Sequence, residues 1–185
     1  MLYRNTKSGY GLIAQILHWV MALSIFAMFG LGYWIRTLTY TSPYYQSAPN
    51  MHQSIGLVLL LLLVIRFGWK MVNINPATDD LSRVEDIGSS AMHWVLYALL
   101  FAVMVVGYLI ATLDGRAIPF FDLVDIPSLY TDRGLEKLAG LLHWVLAYAI
   151  IALAGLHGLA ALWHHFIKRD RVLLRMIAPL KNTDK

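Results

Sequence analysis

The residues of this sequence best suited to bind a metal or move a proton are its seven histidines, for the chain contains no cysteine. Four of them, His143, His157, His164 and His165, fall within residues 138–167, an apolar run of about 30 residues without a single Asp, Glu, Lys or Arg. At 1.5 Å per residue a helix of that length reaches ~45 Å, more than the ~30 Å hydrocarbon core of a bilayer, so the run reads as a membrane span. An ionisable side chain inside a span costs on the order of 3 kcal/mol or more unless it is paired or ligated, which makes each one a functional candidate. His143 and His157 are fourteen positions apart. That is close to four helical turns, so they share a face and stand ~21 Å apart along the axis. A helix offering an imidazole at two depths is what two metal centres stacked across a membrane would require.

The composition agrees with a membrane protein. The chain is 58% hydrophobic and 14% charged, where a soluble domain carries nearer a quarter charged residues. The lack of cysteine excludes disulfides, iron–sulfur clusters, thiolate zinc sites and covalently attached c-type haem. The net charge of +4 could suggest an anionic partner, but Lys and Arg gather beside the apolar runs. That placement is a topology signal, and no nucleic-acid partner is expected.

Four spans are predicted, at 11–36, 51–72, 87–113 and 138–167, in a single integral-membrane domain covering 1–185. The basic lead before the first run resembles a signal peptide, but a signal core has ~7–15 apolar residues and this run is longer. Residues 36–50 and 73–86 read as loops, and 114–137 as the longest connection, ending in an interfacial helical turn over 131–137. Four spans put both termini on one side. That side holds eleven basic residues (Arg4, Lys7, Arg66, Lys70, Arg83 and six in the tail), against Arg36, Arg116, Arg133 and Lys137 on the other. The positive-inside rule therefore predicts an all-α four-helix transmembrane bundle with both termini cytoplasmic.

This orientation places the histidines in depth. His18 falls in the inner half of the first span and His157 in the inner half of the fourth, while His52 and His143 both fall near the outer side. A haem with two axial imidazoles needs such a pair on facing helices at one level, and small residues beside it to make room. Gly30, Gly32, Gly56, Gly107, Gly140, Gly155 and Gly158 are candidates for that space, although glycine is common at helix contacts in membranes. Any one membrane histidine has other uses, as a helix–helix hydrogen-bond donor or part of a proton path. Two depth-matched pairs are harder to explain that way. His93, His164 and His165 lie near the inner interface, where solvated residues are the simpler reading.

The segments LHWVMAL around His18, APNMHQSIG around His52, ATLDGRAIPFFDLVDIP, LLHWVLAY around His143 and LHGLAALWHHFIKRD around His157 carry a resemblance over nearly the whole chain. The sequence resembles the bacterial cytochrome b561 family of four-helix dihaem membrane proteins. The resemblance implies two non-covalent haem b groups held between helices, with His18 and His157 as axial ligands of the inner one and His52 and His143 of the outer one. It also implies a multi-pass protein of the bacterial inner membrane that exchanges electrons with the quinone pool, with ubiquinone as substrate. The best-understood relatives move electrons between superoxide and ubiquinone, and His164 matches a position near their quinone site. His164 is seven residues past His157, two turns away on the same face.

Superoxide is an anion, and the outer loops carry four basic against five acidic residues, so the sequence shows no net positive rim to steer it. Electron transfer by an oxidoreductase of this kind is the main expectation, with superoxide as one candidate donor. The alternative is a haem-bearing anchor subunit for a periplasmic redox partner, with the long outer connection as its docking surface. A histidine-lined transporter without haem is a third class, and it gives no reason for pairing by depth. A cluster of His93, His164, His165, Arg66 and Trp69 at the inner interface is a candidate quinone site.

Overall fold

The computed structural model describes residues 2–77 and 81–178. Part of the connection expected at 73–86, and the tail cations Lys181 and Lys185 used in the topology argument, lie outside the described residues. The protein is mostly helical, and four helices are long and apolar enough to cross a membrane. They are α1 (Leu12–Ile35), α2 (Ser47–Val72), α3 (Arg83–Thr112) and α4 (Glu136–Trp163). The all-α, four-helix transmembrane class expected from the sequence is therefore present. Helices are forced here because hydrocarbon offers backbone N–H and C=O groups no partner, and a helix satisfies them within one segment.

Three helices start earlier than the apolar runs do, for local reasons. Ser82 caps α3: its hydroxyl and backbone N–H both donate to the Glu85 carboxylate at 2.9 Å, and the Glu85 N–H donates back to the Ser82 hydroxyl at 3.4 Å. This capping box satisfies orphan donors of the first turn and starts the helix at Arg83, four positions before the expected 87. Pro49 lies within the first turn of α2, where its missing N–H costs no helical bond. The Asp132 carboxylate accepts from the Gly134 N–H at 2.9 Å and caps a 3-10 turn, Arg133–Leu135, that runs straight into α4. At its far end α4 passes into a π-helical turn, His164–Lys168, closed by Arg169 in the left-handed region.

The chain divides into two compact units, and each long helix supplies a part to each. The first draws its described residues from Met1–Ala22, Leu62–Ala98 and Ala152–Lys185. There Gln15, buried on α1, donates to the carbonyls of Tyr10 (3.0 Å), Arg175 (3.3 Å) and Ala178 (2.9 Å). Trp19 Nε1 donates to Met176 at 3.1 Å. These bonds hold the short α5 (Leu174–Ile177) against α1. Gly11 is required by a close approach, since a Cβ there would stand 2.4 Å from the backbone of Tyr3 and Arg4.

The second unit comprises Leu23–Leu61 and Leu99–Ile151. Its long connection contains a hairpin that the sequence reading missed: β1 (Ile118–Phe120) pairs antiparallel with β2 (Val124–Ile126). Phe121 (φ 50°) and Asp122 (φ 56°) turn between them, and Leu123 N–H closes on Phe120 at 3.0 Å. Three residues, 121–123, connect the paired Phe120 and Val124, and of the two at positive φ Asp122 suits that region while the bulky Phe121 does not. Ser54 ties the hairpin to α2, accepting from Phe121 N–H at 2.9 Å and donating to Pro119 at 3.3 Å.

Candidate cofactor site

In the second unit His52 on α2 faces His143 on α4, with ring centres 6.2 Å apart. His143 Nδ1 lies 3.0 Å from the Val103 carbonyl, which can only accept. Nδ1 therefore carries the proton, leaving the Nε2 lone pair for a metal. His52 Nδ1 is buried with no hydrogen-bond partner. Two of the candidate glycines face these rings. A Cβ at Gly32 would stand 3.2 Å from His52 Cε1, and one at Gly107 would stand 3.0 Å from His143 Cε1. Gly56 and Gly140 line the cavity that holds the pair, whereas Cβ atoms at Gly30, Gly155 and Gly158 would meet open space.

That cavity has a volume of about 770 Å³ and is lined mainly by apolar side chains together with both imidazoles. Its size lies within the range of small-molecule cofactor sites. Arg36 and Trp144 also line it, with the guanidinium 5.5 Å from the centre of the indole.

In the first unit His18 on α1 faces His157 on α4, with ring centres 6.3 Å apart. The two separations can be tested against haem. With about 2 Å from iron to each imidazole nitrogen and ~1.1 Å from nitrogen to ring centre, two axial rings stand ~6.2 Å apart. Both pairs fit that spacing. Among the described residues no group of three or more His, Cys, Asp or Glu side chains is arranged to hold a metal ion. Axial ligation of haem asks for two.

The His18–His157 pair has neighbours that the His52–His143 pair lacks. His93 on α3 lies with its ring centre 5.1 Å from that of His157, too close for a metal between them and placed as a third ring beside the pair. The sequence reading put His93 at the solvated interface because it began the span at 87. With the helix starting at Arg83, His93 is nearly three turns in. Arg66 on α2 approaches His18 Nδ1 at 2.7 Å. A guanidinium can only donate, so this contact places the lone pair of His18 on Nδ1, the reverse of the tautomer at His143.

The expected inner-interface cluster is brought together only in part. His93, Arg66 and Trp69 line one small cavity with Tyr10, Lys70 and Tyr97. Lys70 Nζ lies 4.9 Å from the ring centre of Trp94 and 5.2 Å from that of Tyr97. Burial pushes the Tyr10 phenol above its ordinary range and keeps it a donor. His164 and His165 do not line that cavity. His164 Nδ1 pairs instead with the Asp170 carboxylate just past the π turn, with both side chains little exposed. His165 packs edge-on against Phe166.

A family model described as prokaryotic cytochrome b561 matches residues 9–179. The chain is 40% identical over 179 residues to cytochrome b561 homolog 2 of Escherichia coli (strain K12), covering 96% of this chain and 95% of that protein. It is 27% identical over 163 residues to the probable superoxide oxidase CybB of Yersinia pestis, covering 87% of this chain and 91% of that protein. It is 25% identical over 165 residues to cytochrome b561 homolog 1 of Escherichia coli (strain K12), covering 87% and 92%.

Proposed function

The chain belongs to the prokaryotic cytochrome b561 family of haem b membrane electron-transfer proteins, and from that premise we propose that it is a dihaem cytochrome carrying electrons between the outer side of the membrane and the ubiquinone pool. In this reading His18 and His157 hold the inner haem b, and His52 and His143 the outer one. The observation that carries it is the pair of ring separations, 6.3 and 6.2 Å, both matching two imidazoles on one iron. Each haem, when bound, supplies reversible one-electron exchange at its iron. The chain's own residues do the rest. Val103 fixes the tautomer and orientation of His143, while Gly32 and Gly107 leave room for the imidazoles. The apolar lining of the large cavity excludes water and so bears on the potential.

The distribution of eleven basic residues against four supports cytoplasmic termini in a bacterial inner membrane. On the inner side His164, hydrogen-bonded to Asp170, is the proposed quinone contact. On the outer side superoxide is one proposed donor. Its support is the likeness to a protein described as a probable superoxide oxidase, and the presence of Arg36 in the cavity lining. A second reading, an anchor for a periplasmic redox partner, is favoured by the hairpin region, where Leu123 and Leu129 are each 84% exposed.

The test is a reduced-minus-oxidised spectrum of the purified chain with a haem-to-chain ratio. Two non-covalent haems are expected, and His18→Ala and His52→Ala should each remove a different spectral component. A folded chain without haem ends the reading, and loss of the same component in both variants ends the pairing.

A further inference from the structure

The small cavity of about 60 Å³ beside the His18–His157 pair carries two cations whose partners are aromatic rings and a neutral imidazole nitrogen, with no anion among them. Arg66 and Lys70 both line it. They are four residues apart on one face of α2, inside a membrane-spanning helix, where like charges at that spacing repel. Among the described residues lining the cavity there is no carboxylate, and neither cation belongs to an ion pair. The other polar side chains lining it include Asn5, Asn75, Tyr10 and Tyr97, none a carboxylate, and Trp69 Nε1 is buried there with no hydrogen-bond partner. Cations left uncompensated in a span are costly, so a site of this composition calls for an anion.

Its size narrows the choice. The space is small, of a size that suits a carboxylate or a phosphate oxygen cluster. A neutral quinone would leave both cations unbalanced. Its position narrows the choice further. Arg66 lines the cavity and also touches His18, and His93 lines it and also packs on His157. The site is therefore continuous with the inner histidine pair. Arg66 holds His18 in the tautomer with its proton on Nε2, whereas ligation through Nε2 needs that nitrogen bare. An oxyanion in the cavity gives the guanidinium a stronger partner than a neutral imidazole and lets His18 change tautomer.

We propose that this cavity is an oxyanion site for a propionate carboxylate of the inner haem, anchored by Arg66 and Lys70 with Trp69 Nε1 as a further donor. The inference rests on the dihaem reading above. Lys70 reads it most cleanly, because it touches none of the four histidines proposed as ligands. The experiment uses the holoprotein made with haem carrying ¹³C at its propionate carboxyls. In Lys70→Gln the labelled carboxylate bands of the reduced-minus-oxidised infrared spectrum should shift. One of the two haems should pass roughly ten-fold faster to a haem scavenger, the effect of losing one charge-assisted hydrogen bond. Lys70→Arg should restore both readouts, and Trp69→Phe should give a smaller shift in the same bands.

Unchanged labelled bands and unchanged haem loss in Lys70→Gln overturn the proposal. The same unchanged bands, with phosphatidylglycerol protecting wild type but not Lys70→Gln against unfolding, overturn it in favour of a lipid phosphate. A wild-type chain that carries no haem refutes the dihaem reading itself, which is a separate result.

Discussion

Replacing Gly107 by alanine tests whether the outer cavity is built around the position of His143. The added Cβ would stand 3.0 Å from His143 Cε1 and 3.2 Å from Nδ1, both inside ordinary van der Waals contact. The ring cannot simply slide away, because its Nδ1–H is held by the Val103 carbonyl at 3.0 Å. Overpacking of this kind costs about 1–3 kcal/mol. Stretching or losing the hydrogen bond adds about 0.5–1.5 kcal/mol. Together these give roughly 1.5–4.5 kcal/mol against the ligating geometry, or a roughly ten- to thousand-fold faster loss of the haem held by His52 and His143 at about 1.4 kcal/mol per decade. The assay is transfer of haem from purified protein to a scavenger, followed by the reduced-minus-oxidised spectrum. Gly30→Ala is the control, since a Cβ there meets nothing within 4 Å and should leave haem retention at the wild-type level. If Gly107→Ala retained both haems as well as Gly30→Ala does, His143 would not be positioned as argued.

Two further predictions address the other unit. His164→Ala should keep both haems while slowing oxidation of the reduced protein by a short-chain quinone, by roughly ten- to a hundred-fold if the histidine donates to the quinone. An unchanged stopped-flow rate removes His164, and with it the Asp170 pair, from the quinone reaction. Gly11→Ala puts a Cβ 2.4 Å from backbone atoms of Tyr3 and Arg4, a clash that no rotamer relieves. A loss of about 3 kcal/mol is expected, read as a lower Tm and faster proteolysis before residue 11. A variant as stable and as resistant as wild type would mean that the amino-terminal segment does not pack as described.

Much of the architecture was legible because the membrane makes simple demands. Length, apolarity and the placement of Lys and Arg fix the number of spans, and a period of 3.6 fixes which residues share a face. The ends of the spans were less legible, since they depend on capping. Ser82 and Glu85 start α3 four residues before its apolar run, and the S-x-x-E pattern that does so is present in SRVE. Reading that cap would have placed His93 nearly three turns into a helix, not near the start of one. The hairpin after α3 had a weaker signal, because Asp122 suits a left-handed turn position but the bulky Phe121 before it does not.

The sequence by itself led to the expectation that His18 pairs with His157 and His52 with His143, because depth follows from residue count along a rigid helix. Tertiary structure alone decided what surrounds each imidazole. Contacts such as Arg66 on His18, Val103 on His143, and Gly32 and Gly107 against the rings depend on how helices rotate and approach one another. Residues 40 positions apart, as His143 and Val103 are, meet through packing that no local pattern encodes. The same holds for the pairing of His164 with Asp170, which the π turn after Trp163 creates by shifting the register of the last helical turn.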